Sequence, residues 1–200
     1  MKPYRDYYFL KAKHEKYPAR SIYKLKEIDN RFCLFQKGMS VLDLGASPGS
    51  WSFGAAEKVG KTGRVVSCDI QTITIPLPSN VSFFQEDIFH RSDSFNNILI
   101  KEGPFHVIMS DMAPQTTGVK ITDHSRSLEL CLEALAIAKC YLLQQGSFIV
   151  KIFMGADTIE LVKEMRQHFE RVTSFKPCSS RTKSKEIFYV GLGFKRFTTS

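Results

Sequence analysis

Apolar positions along this chain follow two spacings. Ile22, Leu25 and Ile28 recur at helical spacing, and residues 1–37 as a whole read as helical. Ser21 stands where an N-cap would, shortly after Pro18, and Lys37-Gly38 closes the segment. From residue 39 onward, short apolar runs alternate with mixed segments. The runs at 39–44, 63–69, 81–85, 105–110 and 147–153 predict buried strands. Helices are predicted over 50–60, 92–101, 124–143 and 157–169. The 124–143 helix has the clearest pattern, with Leu128, Leu132, Leu135 and Leu142 on a 3.6-residue period and Gly146 as its stop. Val172–Phe175 and Glu186–Leu192 read as two closing strands. Strands separated by helices predict an α/β fold, a mostly parallel sheet with helices on both faces. No linker or repeat divides the chain. It reads as a single domain over 1–200, with 1–37 a basic helical extension of an α/β body at 38–200.

Sheets of this kind bind ligands at the carboxyl ends of their strands. The first strand ends in Asp43-Leu44-Gly45-Ala46-Ser47-Pro48-Gly49-Ser50-Trp51, where two glycines permit a tight turn and close backbone approach. This is not the GxGxxG of a nicotinamide or flavin site, which disfavours an oxidoreductase. Asp43 is a carboxylate inside an apolar strand end. Asp69 ends the second strand, where it can accept from both hydroxyls of a ribose. Glu86-Asp87 follows the third strand, placed to bond an adenine amino group. Any one of these acids can be a capping or solvated residue. Three after three successive strands read together as an adenosine pocket. The fourth strand ends in Asp111-Met112-Ala113-Pro114, and the fifth carries Lys151 among apolar neighbours, where a lone ammonium is costly unless paired. Adjacent strands ending in Asp and Lys place opposite charges at one point of the cleft.

Composition narrows the class. Apolar residues make up 43% and charged residues 24%, and 16 Phe supply core bulk, so wholesale disorder is excluded. No apolar run is long enough to span a membrane, and the first residues lack an apolar signal core, so a cytoplasmic protein is expected. Five cysteines without CxxC spacing and scattered histidines suggest neither a disulfide framework nor a metal site. The net charge of +8 is unevenly placed. Residues 1–37 carry ten Lys/Arg against four Asp/Glu, and 171–200 carry seven against one, while the body between is net acidic. If the two ends meet, they form a positive surface suited to a polyanion; otherwise they are solvated tails.

Five motifs in order carry a resemblance. They are Arg20-Ser21-Ile22-Tyr23-Lys24-Leu25, the Asp43–Trp51 turn, Ser110-Asp111-Met112-Ala113-Pro114, Val150-Lys151-Ile152-Phe153 and Ser180-Arg181-Thr182-Lys183-Ser184-Lys185-Glu186. Together they resemble the FtsJ/RrmJ (RlmE) family of S-adenosylmethionine-dependent RNA ribose 2′-O-methyltransferases, over nearly the whole chain. The resemblance implies a Rossmann-like methyltransferase domain with a seven-stranded sheet whose last strand is antiparallel. It places the family's catalytic tetrad on Lys24, Asp111, Lys151 and Glu186. It places cofactor contacts on Gly49, Trp51, Asp69, Asp87 and Asp111, with S-adenosyl-L-methionine as cofactor and no metal. Where the family usually has Gly-Gly-Trp this chain has Gly49-Ser50-Trp51, so altered pocket contacts are expected.

The implied reaction requires a ribose hydroxyl held in line with a methyl group and helped to lose its proton. Lys151 is the candidate base. Burial, Lys24 and the sulfonium favour its neutral form, whereas Asp111 and Glu186 oppose it. The other role open to Lys151 is a fixed charge on the developing alkoxide. Arg20, Lys26, Lys183 and Lys185 are candidates for phosphates, and Tyr4, Tyr7, Tyr8 and Tyr23 for stacking on bases or for packing the N-terminal helices. The expected substrate is ribosomal RNA, a uridine of the large subunit, acted on by a monomer that binds no membrane. Transfer RNA as substrate, or a non-catalytic RNA-binding module, are the alternatives. An amino-group methyltransferase would usually show Asn/Asp-Pro-Pro-aromatic where Asp111-Met112-Ala113-Pro114 stands.

Overall fold

The structure is a computed structural model that describes residues 7–155, 158–181 and 184–196. Its elements in chain order are α1 (Tyr7–His14), α2 (Ile22–Phe32), β1 (Ser40–Leu44), α3 (Ser50–Val59), β2 (Arg64–Asp69) and β3 (Val81–Gln85). These are followed by α4 (Asp93–Glu102), β4 (Phe105–Ser110), α5 (Lys120–Tyr141), β5 (Leu142–Phe153), α6 (Thr158–His168), β6 (Phe169–Phe175) and β7 (Glu186–Phe194). The strands form one 7-stranded sheet in the order β3-β2-β1-β4-β5-β7-β6. β7 runs antiparallel to both neighbours, and the remaining pairings are parallel.

The alternation of side chains along each strand splits the core into two layers. Leu42, Leu44, Ile108, Phe148, Val150 and Ile152 face one way, into a cluster completed by α4, α5 and α6. Val41, Val107, Met109, Ile149, Phe188 and Val190 face the other way, against Leu25 and Ile28 of α2 and Trp51 and Ala55 of α3. The apolar stripe read on residues 22–28 is thus core, and α2 lies on the sheet rather than projecting from it. By the same alternation, Asp43, Lys151 and Glu186 fall on the face covered by α2 and α3.

The boundaries differ from the sequence reading in ways that have local causes. The basic N-terminal region holds two helices. Ser21 precedes α2 but its side chain caps nothing, because its backbone is already in the helical region and the preceding turn leads straight in. α5 begins at Lys120 rather than 124: Asp123 accepts hydrogen bonds from the Thr117 and Gly118 amides and fixes the start of the helix. It ends at Tyr141, and Gly146, expected to stop it, lies inside β5. There β5 shifts register against β4, between its contacts to Phe105 and Val107. A Cβ at 146 would sit 2.8 Å from the Leu143 carbonyl oxygen and 3.0 Å from that of His106, so only glycine fits the bulge. β6 extends back to Phe169, whose buried ring stacks on Phe148. Among the described residues, no helix is long and apolar enough to cross a membrane.

Candidate active site

The four residues that the resemblance assigned to catalysis come from four separate elements and meet at one edge of the sheet. Lys24 lies on α2, Asp111 follows β4, Lys151 stands near the end of β5, and Glu186 opens β7. Because β7 runs against the others, its first residue lies beside their last ones: Glu186 pairs with Phe153 in register, and Lys151 with Phe188. Lys151 and Glu186 are therefore diagonal neighbours on one face of the sheet.

Two ion pairs result. Lys151 Nζ lies 2.8 Å from Asp111 Oδ1 and also donates to the Asp111 backbone oxygen. Lys24 Nζ lies 2.6 Å from Glu186 Oε1, and Ser180 Oγ donates to the same oxygen at 2.9 Å. Burial alone would raise the Glu186 carboxyl, but the Lys24 ammonium is the largest of several influences that together outweigh it. With help from Ser180 and the charge of Lys151, the group is held below the usual carboxylate range. The Lys24 ammonium also sits 5.8 Å over the Phe188 ring, whose other neighbour is the Trp51 indole, stacked with centroids 5.6 Å apart.

Beside this quartet opens a cavity of about 500 Å³ at the carboxyl ends of β1 to β4. Asp69, Glu86, Asp87, Asp111, Met112 and Arg126 are among its lining residues. The turn after β1 forms one wall. Gly45 has a φ of +79°, and a Cβ there would meet Met112 Cγ at 2.3 Å, so glycine is required where the two loops touch. Asp69 spans that wall: Oδ2 accepts from the Ser47 amide at 2.9 Å and Oδ1 from the Gln71 amide at 2.8 Å. This fixes the carboxylate while leaving acceptor capacity on each oxygen. Asp87 accepts from the Phe89 amide, which holds its carboxyl below the ordinary value. Glu86 also lines the cavity, and its carboxylate accepts from both the amide and the hydroxyl of Ser92 at the start of α4.

Behind the wall lies Asp43, wholly buried, accepting from Ser52 Oγ at 2.6 Å. Burial and the nearby Asp111 and Asp69 push its carboxyl up to about 7, against the hydrogen bond from Ser52. A cleft lined by several carboxylates, with adjacent ammoniums at one end, suits a ligand with hydroxyl and amine donors and a positive centre. The donor set thus fits the group expected from the resemblance. Among the described residues, no cluster of three or more His, Cys, Asp or Glu could hold a metal ion.

Of the expected cofactor contacts, Asp69, Asp87 and Asp111 line the cavity, while Gly49 and Trp51 do not. Trp51 is buried against Phe188, and its Nε1–H donates to the Ser21 carbonyl at 3.0 Å. Ser50, which stands where glycine was the expectation, is buried outside the cavity and donates to the Ala19 carbonyl. The two residues therefore fix the entry of α2, and with it Lys24. Tyr8 of α1 packs on Tyr23 of α2, and Tyr7 is exposed. Tyr4 and Lys183 lie outside the described residues. Sequence reasoning gave no role of their own to Ser180, Arg126 or Glu27. Ser180 stands inside the fifth motif, six residues before its partner Glu186, whereas Glu27 bonds amides 151 and 152 residues away and carries no local pattern.

The chain is similar to known proteins over nearly its whole length. The chain is 64% identical over its whole length, and over 98% of the relative's, to a ribosomal RNA large subunit methyltransferase E of Nitratidesulfovibrio vulgaris Hildenborough. It is 47% identical to a protein of the same name from Bdellovibrio bacteriovorus, over 96% of this chain and 97% of that one. The crystal structure of a ribosomal RNA methyltransferase from Plasmodium falciparum superimposes with a TM-score of 0.77 at 31% identity, covering 89% of this chain and 98% of that one. The family model for FtsJ-like methyltransferases spans residues 17–194, which takes in every strand of the sheet and both ion pairs, and the chain belongs to that family.

Proposed function

We propose that this protein methylates a ribose 2′-hydroxyl of large-subunit ribosomal RNA, on a uridine, with S-adenosyl-L-methionine as methyl donor. It is an RNA methyltransferase by family and by the names its relatives carry. The observation that carries the finer reading is the placement of two buried Lys–carboxylate pairs at the mouth of a carboxylate-lined cleft. Asp69 and Asp87 would hold the ribose and adenine of the cofactor, and Asp111 stands where the cleft meets the quartet. Bound there, the cofactor supplies an electrophilic methyl on a sulfonium.

The protein's own groups do the rest. Lys24 and Lys151 converge on the mouth from different elements and define where a hydroxyl can sit. Glu186 and Asp111 orient the two lysine side chains, so the attacking oxygen meets fixed groups with little reorganisation. Lys151, the more buried of the two, is the group proposed to take the hydroxyl proton, acting as the neutral amine and becoming the ammonium as the oxygen bonds the methyl group. The basic residues 7–37 and residues 176–181 and 184–185, between β6 and β7, flank this mouth, and we assign the basic ends of the chain to the RNA backbone. The protein would act as a monomer in the cytoplasm, on RNA held in the large ribosomal subunit.

The test is methyl transfer from labelled S-adenosylmethionine to large-subunit ribosomal RNA, intact large subunits and transfer RNA, followed by mapping of 2′-O-methyl positions. A single ribose methylated in large-subunit RNA is expected. Methylation confined to transfer RNA, or to a base, would overturn the assignment.

A further inference from the structure

The quartet depends on a contact outside it. Glu27 lies one turn beyond Lys24 on α2, and its carboxylate reaches the segment that follows β6. Oε2 accepts from the Cys178 amide at 2.6 Å and Oε1 from the Ser179 amide at 2.9 Å. The Arg20 guanidinium donates to the carbonyl of the same Ser179. Ser179 is fully buried between them, and the Ser180 amide closes the turn onto Pro177. Ser180 then donates to Glu186 Oε1, the oxygen that also receives Lys24. α2 and the turn before it thus hold both ends of a relay, gripping the 177–180 turn through Arg20 and Glu27 and presenting Lys24 to the carboxylate that the turn steadies.

We propose that Glu27 is a positioning residue of the methyl-transfer site, acting through Ser180 and Glu186 on Lys24. Two successive amides aimed at one carboxylate form a directional and charge-assisted cradle. Among the described residues, no other acid accepts from those amides. Without Glu27 they lose their acceptor, and the turn loses its registry with α2. A displacement of 1 Å at a reacting group can cost about 100-fold in rate. Cofactor affinity should be unaffected, because Asp69 and Asp87 bond neither Glu27 nor the 177–180 turn. The inference rests on the methyltransferase reading above.

The experiment uses Glu27→Ala, Glu27→Gln and Glu186→Gln, singly and combined, in the full chain. Amide hydrogen exchange across residues 177–186 needs no RNA and tests the clamp whatever the substrate proves to be. Glu27→Ala should speed exchange at Cys178 and Ser179, and unchanged exchange there would overturn the proposal. Single-turnover methylation at saturating RNA should fall about 10- to 100-fold in Glu27→Ala, with S-adenosylhomocysteine affinity unchanged by calorimetry. Glu27→Gln keeps one acceptor and sets an amide N–H₂ against the other backbone donor, so it should recover part of the rate. In the Glu186→Gln background Glu27→Ala should add little, and full additivity would show that Glu27 does not act through Glu186. Faster exchange without loss of rate would equally overturn the positioning role. Should the wild-type protein methylate no ribosomal RNA, the functional assignment fails while the exchange arm still decides the clamp.

Discussion

Lys24 Nζ stands 2.6 Å from Glu186 Oε1, with the two side chains 13% and 12% exposed. One residue comes from the second helix and the other from the last strand, so the pair forms only when both ends of the chain are in place. Removing one partner leaves the other charged and poorly solvated. Glu186→Ala should therefore cost about 1–3 kcal/mol of stability, below the 3–5 kcal/mol typical of fully buried pairs. The folded carboxyl sits below its ordinary range, so its contribution is full above the unfolded value and fades as pH falls through the folded one. Chemical denaturation at pH 7 and at pH 3 should show the gap between wild type and variant closing at the lower pH.

Lys151 should prove essential to transfer and dispensable for cofactor binding. Lys151→Ala should lose about 10²–10⁴-fold in single-turnover rate, the worth of a positioned acid or base. Lys151→Arg should not rescue, since a guanidinium cannot accept a proton at working pH. Appreciable turnover in the Arg variant alone would mean that Lys151 acts as a fixed charge.

Asp69 fixes the Ser47 and Gln71 amides and lines the cleft. Asp69→Ala should weaken S-adenosylmethionine binding by about 1.5–3 kcal/mol, the scale of a lost charged hydrogen bond. Calorimetry on the folded variant measures this directly, and an unchanged affinity would remove Asp69 from the ribose site.

Binding to RNA should weaken steeply with salt, because both ends of the chain are strongly basic. Reversing Lys183 and Lys185 to Glu should lower RNA affinity and flatten the salt slope while leaving cofactor affinity intact. Filter binding at four or five salt concentrations reads both quantities.

Asp43 offers a pH test. Its carboxyl is raised to about 7, so between its unfolded value and pH 7 the folded state holds a proton that the unfolded state has lost. Stability must then fall as pH rises through that window, and level off above it. Asp43→Asn keeps an acceptor for Ser52 and cannot ionise. The stability of Asp43→Asn relative to wild type should grow by a few kcal/mol between pH 4 and pH 7, judged from a shift of about three units.

Much of this was legible in the chain because strand and helix periods differ and because the acids sit where strands end. Asp69, Asp87, Asp111 and Lys151 could be placed at the cleft on that ground alone. Trp51 could not, since a tryptophan after a glycine turn reads equally as a ligand contact or as packing. Only the location of the Ser21 carbonyl, set by tertiary packing, decides between them. Ser50 is a similar case: a hydroxyl that pattern reading sends to the pocket is directed at the Ala19 carbonyl. Gly146 looked like a helix stop because glycine has that role at many helix ends, whereas here a β-bulge needed it. Glu27 carried no local signal, because its partners lie at the far end of the sequence.

The position of β7 sets the order in which the protein can become active. The strand is last in the sequence yet lies inside the sheet, between β5 and β6. A chain emerging from the ribosome acquires Lys24, Asp111 and Lys151 well before Glu186, and until β7 inserts, the edge of β5 has no partner on that side. N-terminal parts of a chain can fold during synthesis, but here the final strand both closes the sheet and supplies the last charged group. On the proposed mechanism the nascent chain would be inactive until β7 is made, and a product truncated before β7 would have an exposed strand edge and would lack Glu186.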